Sequence, residues 1–294
     1  QKQGIVLKPF VVGIGLDPGF RETFECVGNY YDAANETRFR EVMDVVISQA
    51  LNTTSAQVNL LDEYGKPTET NVNMTFYDML TQKIKHNFIH TINHRGNPDT
   101  LMLDPLITYS MIVHTLPEIR LDSIRVTPGK HTIIAVDAPQ GFLTLKKPKG
   151  HQYKDLEFIV RQKNTDSTLN VQKVGQTEKY LTGMYEMEVL CLPRLIVEDV
   201  EIKQSHTTTI QIPQPGIATF FMGSVGYGAI YVEDKNELKW VCNLGSNTTQ
   251  ETLVLQPGNY RVVFRSKNAK ETIYTIDRRF TVKSGASERI LLLN

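Results

Sequence analysis

Tyr109-Ser-Met-Ile-Val-His-Thr-Leu-Pro117 returns as Tyr185-Glu-Met-Glu-Val-Leu-Cys-Leu-Pro193, and its opening strand returns once more as Tyr260-Arg-Val-Val-Phe264. The three tyrosines stand 76 and 75 residues apart. Downstream of each come two β-type runs around a polar tip: Ile124–Ile134, Val200–Ile210 and Phe280–Ile290. A third marker keeps the spacing, Gly141-Phe-Leu-Thr-Leu145 recurring as Gly216-Ile-Ala-Thr-Phe220. A fixed period means serially repeated units, and this one is longer than the roughly 20–50 residues of solenoid turns. The runs alternate apolar and polar residues with the period of a half-buried strand. A mainly β chain of small tandem sandwiches is therefore expected, with Tyr109, Tyr185 and Tyr260 opening equivalent strands. Val113, Val189 and Phe264 then fall in the module cores.

Bulk properties exclude several function classes. Among 294 residues, 32 basic side chains cancel 32 acidic ones, leaving no field of one sign to hold nucleic acid or an anionic membrane. No segment approaches the roughly 20 apolar residues of a membrane span. There is no basic, apolar leader at the N-terminus, so an export signal is expected outside these residues. Cys26, Cys191 and Cys242 are too few and too scattered for a disulfide framework or a zinc site, and at most one pair could bridge.

Residues 1–51 follow another pattern. Phe10-Val-Val-Gly-Ile-Gly-Leu16 reads as a strand buried on both faces of a parallel sheet. Asp17-Pro18 starts a short helix through Cys26. Asn35 caps a second helix whose Phe39, Val42, Met43, Val46, Ile47, Ala50 and Leu51 share one face. The expected order is strand, helix, helix, the end of an α/β domain without its flanking strands.

These segments, with Phe24-Glu-Cys-Val-Gly-Asn-Tyr-Tyr31 leading into the second helix, resemble the last strand and closing helix of a von Willebrand factor type A domain. The metal-dependent adhesion site of that family rests on an Asp-x-Ser-x-Ser loop, and no such loop occurs in this sequence. Nothing of the site carries over. The remainder resembles carboxypeptidase regulatory-like, or transthyretin-like, modules. Val58-Asn-Leu-Leu-Asp-Glu-Tyr-Gly-Lys-Pro-Thr68 is similar to their opening strand and turn, followed by Val72, Met74 and Phe76. Leu255-Gln-Pro-Gly-Asn-Tyr-Arg-Val-Val-Phe264 is similar to their closing strand, with Pro257 fixing the turn and Gly258 free to take φ > 0. The resemblance implies an order like that of Bacteroidetes envelope proteins. Residues 1–52 are the end of a type A-like domain, and 53–140, 141–215 and 216–294 are three Ig-like or transthyretin-like sandwiches.

Several constellations imitate chemistry. His86, His90 and His94 would share one helix face as zinc ligands do, yet Phe88, Ile89 and Ile92 favour a strand. A strand sets successive histidines about 13 Å apart, so no metal is expected there. Gly13-Ile-Gly15-Leu-Asp-Pro-Gly19 sits where a dinucleotide loop would, but its glycine spacing and proline mark a plain strand-to-helix turn. No Gly-x-Ser-x-Gly elbow occurs, and no cysteine–histidine catalytic motif. Asp99-Thr-Leu101, Asp122-Ser-Ile124 and Asp166-Ser-Thr168 resemble O-glycosylation acceptors, and Asn35, Asn52, Asn73 and Asn247 lie in N-glycosylation sequons.

The chain therefore reads as a non-enzymatic envelope or surface protein without catalytic, cofactor or metal residues. It is expected in the periplasm, at the outer membrane or outside the cell, binding other proteins through sheet edges and loop tips. Strand 10–16 either pairs with strands from outside the chain, a missing part of the type A-like domain or a partner subunit, or folds against the first module. A carbohydrate-binding array is the alternative, with Trp240 and Tyr227 as its aromatic candidates and Trp240 equally suited to a core. A metal-dependent hydrolase rests on the histidine row alone.

Overall fold

The computed structural model describes residues 9–14, 21–24, 29–33, 35–51, 54–146, 153, 155–235 and 237–293. They form two compact units, residues 1–139 and 140–294. The first begins with β1 (Phe10–Gly13), α1 (Arg21–Phe24), β2 (Asn29–Asp32) and α2 (Glu36–Leu51). A seven-stranded sandwich follows: β3 (Ser55–Leu61), β4 (Val72–Asp78), β5 (Ile84–His90), β6 (Thr100–Met102), β7 (Tyr109–Val113), β8 (Ile119–Ile124) and β9 (His131–Asp137). Its sheets run β6-β3-β9 and β5-β4-β7-β8. The second unit writes the same plan twice. The middle module holds β10 (Gln140–Lys146), β11 (Glu157–Gln162), β12 (Asn170–Lys173), β13 (Thr177–Leu181), β14 (Gly183–Val189), β15 (Leu195–Ile202) and β16 (Thr207–Gln211). The last holds β17 (Gly216–Met222), β18 (Gly226–Asp234), β19 (Glu237–Leu244), β20 (Gln250–Leu255), β21 (Gly258–Ser266), β22 (Ile276–Val282) and β23 (Ser287–Leu292). In every module the first strand pairs antiparallel with the fourth and parallel with the seventh. The fold is three tandem β-sandwiches after a short α/β segment.

The repeated tyrosines occupy the fifth strand of each module and are fully buried, as are Val113, Val189 and Phe264. Each hydroxyl ties down the connection before its strand. Tyr185 Oη donates to the Leu181 carbonyl at 2.8 Å and Tyr260 Oη to that of Gln256 at 2.6 Å, while Tyr109 Oη accepts from the Asp104 amide at 2.8 Å. Burial raises all three phenols, Tyr185 to about 12, so they stay neutral donors or acceptors.

Three sequence expectations need correction. The runs around the polar tips are strands six and seven, and they do not pair: the sixth lies in the four-stranded sheet and the seventh in the three-stranded one. Residues 255–264 do not form a closing element, since β22 and β23 follow β21, and Gly258 is not among the residues with positive φ. In the N-terminal segment Asn29–Asp32 is a strand, paired in parallel with β1 from Phe10↔Asn29 to Gly13↔Asp32. Four residues are too few for periodicity to reveal a strand. Cys26, Asp17 and Pro18 lie outside the described residues.

β1 is half-buried rather than sealed on both faces, and Ile14 beyond it is 67% exposed. Asn35 does cap α2, its Oδ1 accepting from the Arg38 amide at 2.9 Å. The buried face centres on Val42 and Val45, however, leaving Phe39 and Ile47 exposed. A two-stranded sheet is too narrow to cover the whole apolar stripe.

Two joints are hydrogen-bonded. Tyr31 Oη donates to Asp104 Oδ2 at 2.9 Å, fastening the α/β segment to the turn held by Tyr109. In the second unit the Gln256 amide donates to the Leu192 carbonyl at 2.7 Å, its side-chain Nε2 meets Tyr153 Oη at 2.8 Å, and Leu192 packs on the last module's core.

The glycine marker has a steric cause. A Cβ at Gly216 would stand 2.6 Å from both the Lys283 carbonyl oxygen and Val282 Cγ1, and one at Gly141 would fall on the Lys203 carbonyl. The first strand thus crosses the end of the sixth too closely for any side chain. The first module has Thr54 at this point, where its hydroxyl accepts from the Gly129 amide at 2.9 Å. Gly141→Ala and Gly216→Ala are each expected to destabilise by about 1–3 kcal/mol, the cost of overpacking. Urea denaturation checks this against Thr219→Ala on the exposed face of β17.

Candidate interaction surface

The histidine row does not converge. His86 lies on β5 with its ring edge-on to Phe76 at 6.3 Å, His90 ends the strand and is buried, and His94 stands in the turn beyond. His90 Nε2 bonds the Val58 carbonyl at 2.9 Å, and its Nδ1 has no partner. Burial pushes the pKa of His90 down, against the opposing pull of the Val58 carbonyl and Asp99, and that of His86 down with help from Lys85.

A row with hydrolase-like distances does occur, and sequence reading missed it because Thr75 on β4 is far in sequence from His114 and Glu118 in the connection between β7 and β8. Thr75 Oγ1 lies 2.9 Å from His114 Nε2, and His114 Nδ1 lies 3.0 Å from Glu118 Oε1. Glu118 is held below the usual carboxylate range by His114 first and Arg120 next. Thr75 is only 2% exposed, so an acyl group has no approach to its hydroxyl. The arrangement closes the outer face of the first module's sheet.

The last module presents an open face. Along β18 the outward residues are Tyr227, Ala229, Tyr231 and Glu233, matched on β21 by Arg265, Val263 and Arg261. Trp240 on β19 stands opposite Tyr231 and Asn243 opposite Ala229. Both aromatic candidates are exposed, Trp240 at 61% and Tyr227 at 63%, so Trp240 is not a core residue. A bulge turns it outward: Ile230 pairs with Cys242 but Tyr231 with Trp240, so Val241 is the extra residue. Strict alternation inward from Cys242 would have buried the indole and exposed Val241, which is instead buried. Trp240 Nε1 donates to Asn243 Oδ1 at 3.1 Å, and Lys267 Nζ sits 5.6 Å from the Tyr227 ring centre while donating to Asn247 at 2.7 Å.

Other candidates are ordinary. Burial lifts Cys191 and Cys242 to about 11, which keeps both thiols protonated, and both are free. Gly13 lies on β1, and Gly15 and Gly19 lie outside the described residues. Asn35 is the helix cap and Asn52 lies outside the described residues. Thr100, Ser123 and Ser167 are exposed, whereas Asn73 is half-buried with an unpartnered Oδ1. Among the described residues no helix is long and apolar enough to cross a membrane.

No protein-family model and no curated protein matches this chain. Solved structures similar to it include the Bacillus anthracis TIE protein, 14% identical with a TM-score of 0.24, covering 82% of this chain and 50% of that one. A streptococcal ancillary pilin is 10% identical with a TM-score of 0.26, covering 82% of this chain and 98% of the pilin. The minor pilin of Streptococcus agalactiae is 11% identical with a TM-score of 0.25, covering 52% and 94% respectively. The chain thus spans half the length of the first and nearly all of the other two.

Two outcomes are expected here. Metal analysis of the purified protein finds no stoichiometric zinc, and chelator leaves its melting temperature unchanged; zinc lost together with stability would reverse this reading. The depressed histidines also give stability a pH dependence. The unfolded chain takes up their protons below about pH 6.5 while the folded chain resists, so stability falls as pH drops from there. The urea midpoint should decline between pH 7 and 5, above the range of the carboxylates, and His90→Gln should flatten that decline.

Proposed function

We propose that this chain is a non-enzymatic cell-envelope or surface protein whose β-modules act as a stalk and presentation surface for protein–protein interaction or adhesion. The observation that carries the reading is the built joint of the second unit. Leu192, Gln256 and Tyr153 interlock the two modules through a buried contact, the arrangement of a rigid spacer rather than of beads on a flexible linker. The Thr75 row is closed to substrate.

Residues 1–52 serve in this proposal as the tail of a von Willebrand A-like domain. Segments 53–140, 141–215 and 216–294 are carboxypeptidase regulatory-like modules on the pattern of Bacteroidetes envelope proteins. The half-buried β1–β2 pair and exposed Ile14 suit completion by strands from outside this chain, of the same domain or of a partner subunit. A second reading, a carbohydrate-binding array, is favoured by one observation: Trp240 and Tyr227 lie exposed on one sheet face.

Placement at the envelope or cell surface is tested by antibody raised against the purified chain. Labelling of intact producing cells, or of cells with only the outer membrane opened, is expected. Signal confined to fully lysed cells would overturn the reading.

A further inference from the structure

We propose that the outward face of β18, β19 and β21 is a binding platform for a neutral oligosaccharide. This names the ligand of the adhesive surface and rests on that reading. Three observations point the same way.

The bulge at Val241 re-aims the single tryptophan of the chain into solvent. Bulges are retained where a side chain must be redirected, and an indole left 61% exposed forgoes the burial that alternation offered it.

Both exposed rings are also held in place. The indole N–H is tied to Asn243 and the Tyr227 ring is faced by Lys267, which is itself anchored on Asn247. Rings fixed before a ligand arrives lose little freedom when it binds.

The charge pattern then selects the ligand. Arg261 bonds Glu233 at 3.0 Å and Asp277 at 3.3 Å, and Arg279 bonds Glu233 at 3.0 Å, so these four charges are taken up by one another, and Arg265 and Lys267 are left at the Tyr227 end as donors to hydroxyls. Tyr231 and Tyr227 are four residues apart on a regular strand, about 13 Å. Between them lies a floor of Ala229 and Val263, with Asn243 alongside. A pyranose has one apolar C–H face and a rim of hydroxyls. That face stacks on an aromatic ring, and the rim is met by planar polar groups such as Asn243 and Arg265. A sugar chain lying along β18 uses all of these groups.

The sole tryptophan makes the test direct. The intact chain is titrated with cellohexaose, laminarihexaose and chitohexaose while Trp240 emission is followed. A saturable change with at least one of them is expected, weakened roughly fivefold or more by Tyr227→Ala and by Asn243→Ala. Ile84→Ala, at the corresponding bulge of the first module, should leave it unchanged, and melting curves establish that each variant is folded. No response to any of the three sugars overturns the proposal, as does an emission change that follows protein concentration alone, which would make the face a contact between copies. A response to a proline-rich peptide but to no sugar likewise overturns it. Intact-cell labelling without a sugar response would sink this proposal while leaving the surface reading standing.

Discussion

A phenol buried in a sandwich core has to hydrogen-bond, because an orphaned hydroxyl costs about 1–3 kcal/mol. In this chain the nearest backbone to supply the partner is the connection just before its own strand. Tyr109, Tyr185 and Tyr260 all reach back to it, over four or five residues. The consequence extends beyond each core. The connection that Tyr109 holds is the one whose Asp104 carboxylate accepts from Tyr31, and the connection that Tyr260 holds is the one whose Gln256 donates to Leu192 and Tyr153. One interaction inside the module therefore sets the surface on which the preceding piece of chain docks. The phenol, the turn and the joint form one continuous chain of contacts.

This explains what could be read from residues alone. The tyrosines recur because each answers a constraint local in sequence, a phenol and its turn, and Gly141 and Gly216 recur because the first strand meets the sixth too closely for a side chain in both modules. Such constraints survive as spacing. The pairing of the first strand with the seventh does not, since it joins Ile217 to Ser287 or Ser55 to His131 across a whole module. The tip between strands six and seven looks like a hairpin in sequence because both flanks alternate. Only tertiary packing sends them to different sheets. β2 escaped for another reason: Asn29–Asp32 is shorter than any pattern that could announce it.

The site features divide in the same way. His86, His90 and His94 stood out because they were evenly spaced, yet strand geometry and one buried hydrogen bond disperse them. Thr75, His114 and Glu118 did not stand out, and folding brings them into line at about the distances of a catalytic row. Distance alone does not make a catalyst. A nucleophile must be reachable and its oxyanion must meet donors, whereas Thr75 is sealed against the sheet. In this module the polar row satisfies a buried hydroxyl beneath an exposed imidazole.

The bulge that exposes Trp240 adds a comparison internal to the protein. The first module has an irregularity at the same place, Phe76 pairing with His86 but Tyr77 with Ile84, and there too the displaced residue, Ile84, is exposed. The middle module pairs β11 with β12 without one. The bulge is thus a property of the scaffold in two modules, and what differs is the side chain placed on it. In the first module the aliphatic Ile84 stands opposite Tyr77, and the nearby sheet face is filled by Thr75 and His114. In the last, an indole tied to Asn243 faces a floor that Ala229 leaves shallow. The two bulges thus share a backbone device and differ in surface chemistry, since only the last module adds to it an orienting hydrogen bond on a ring and a shallow floor.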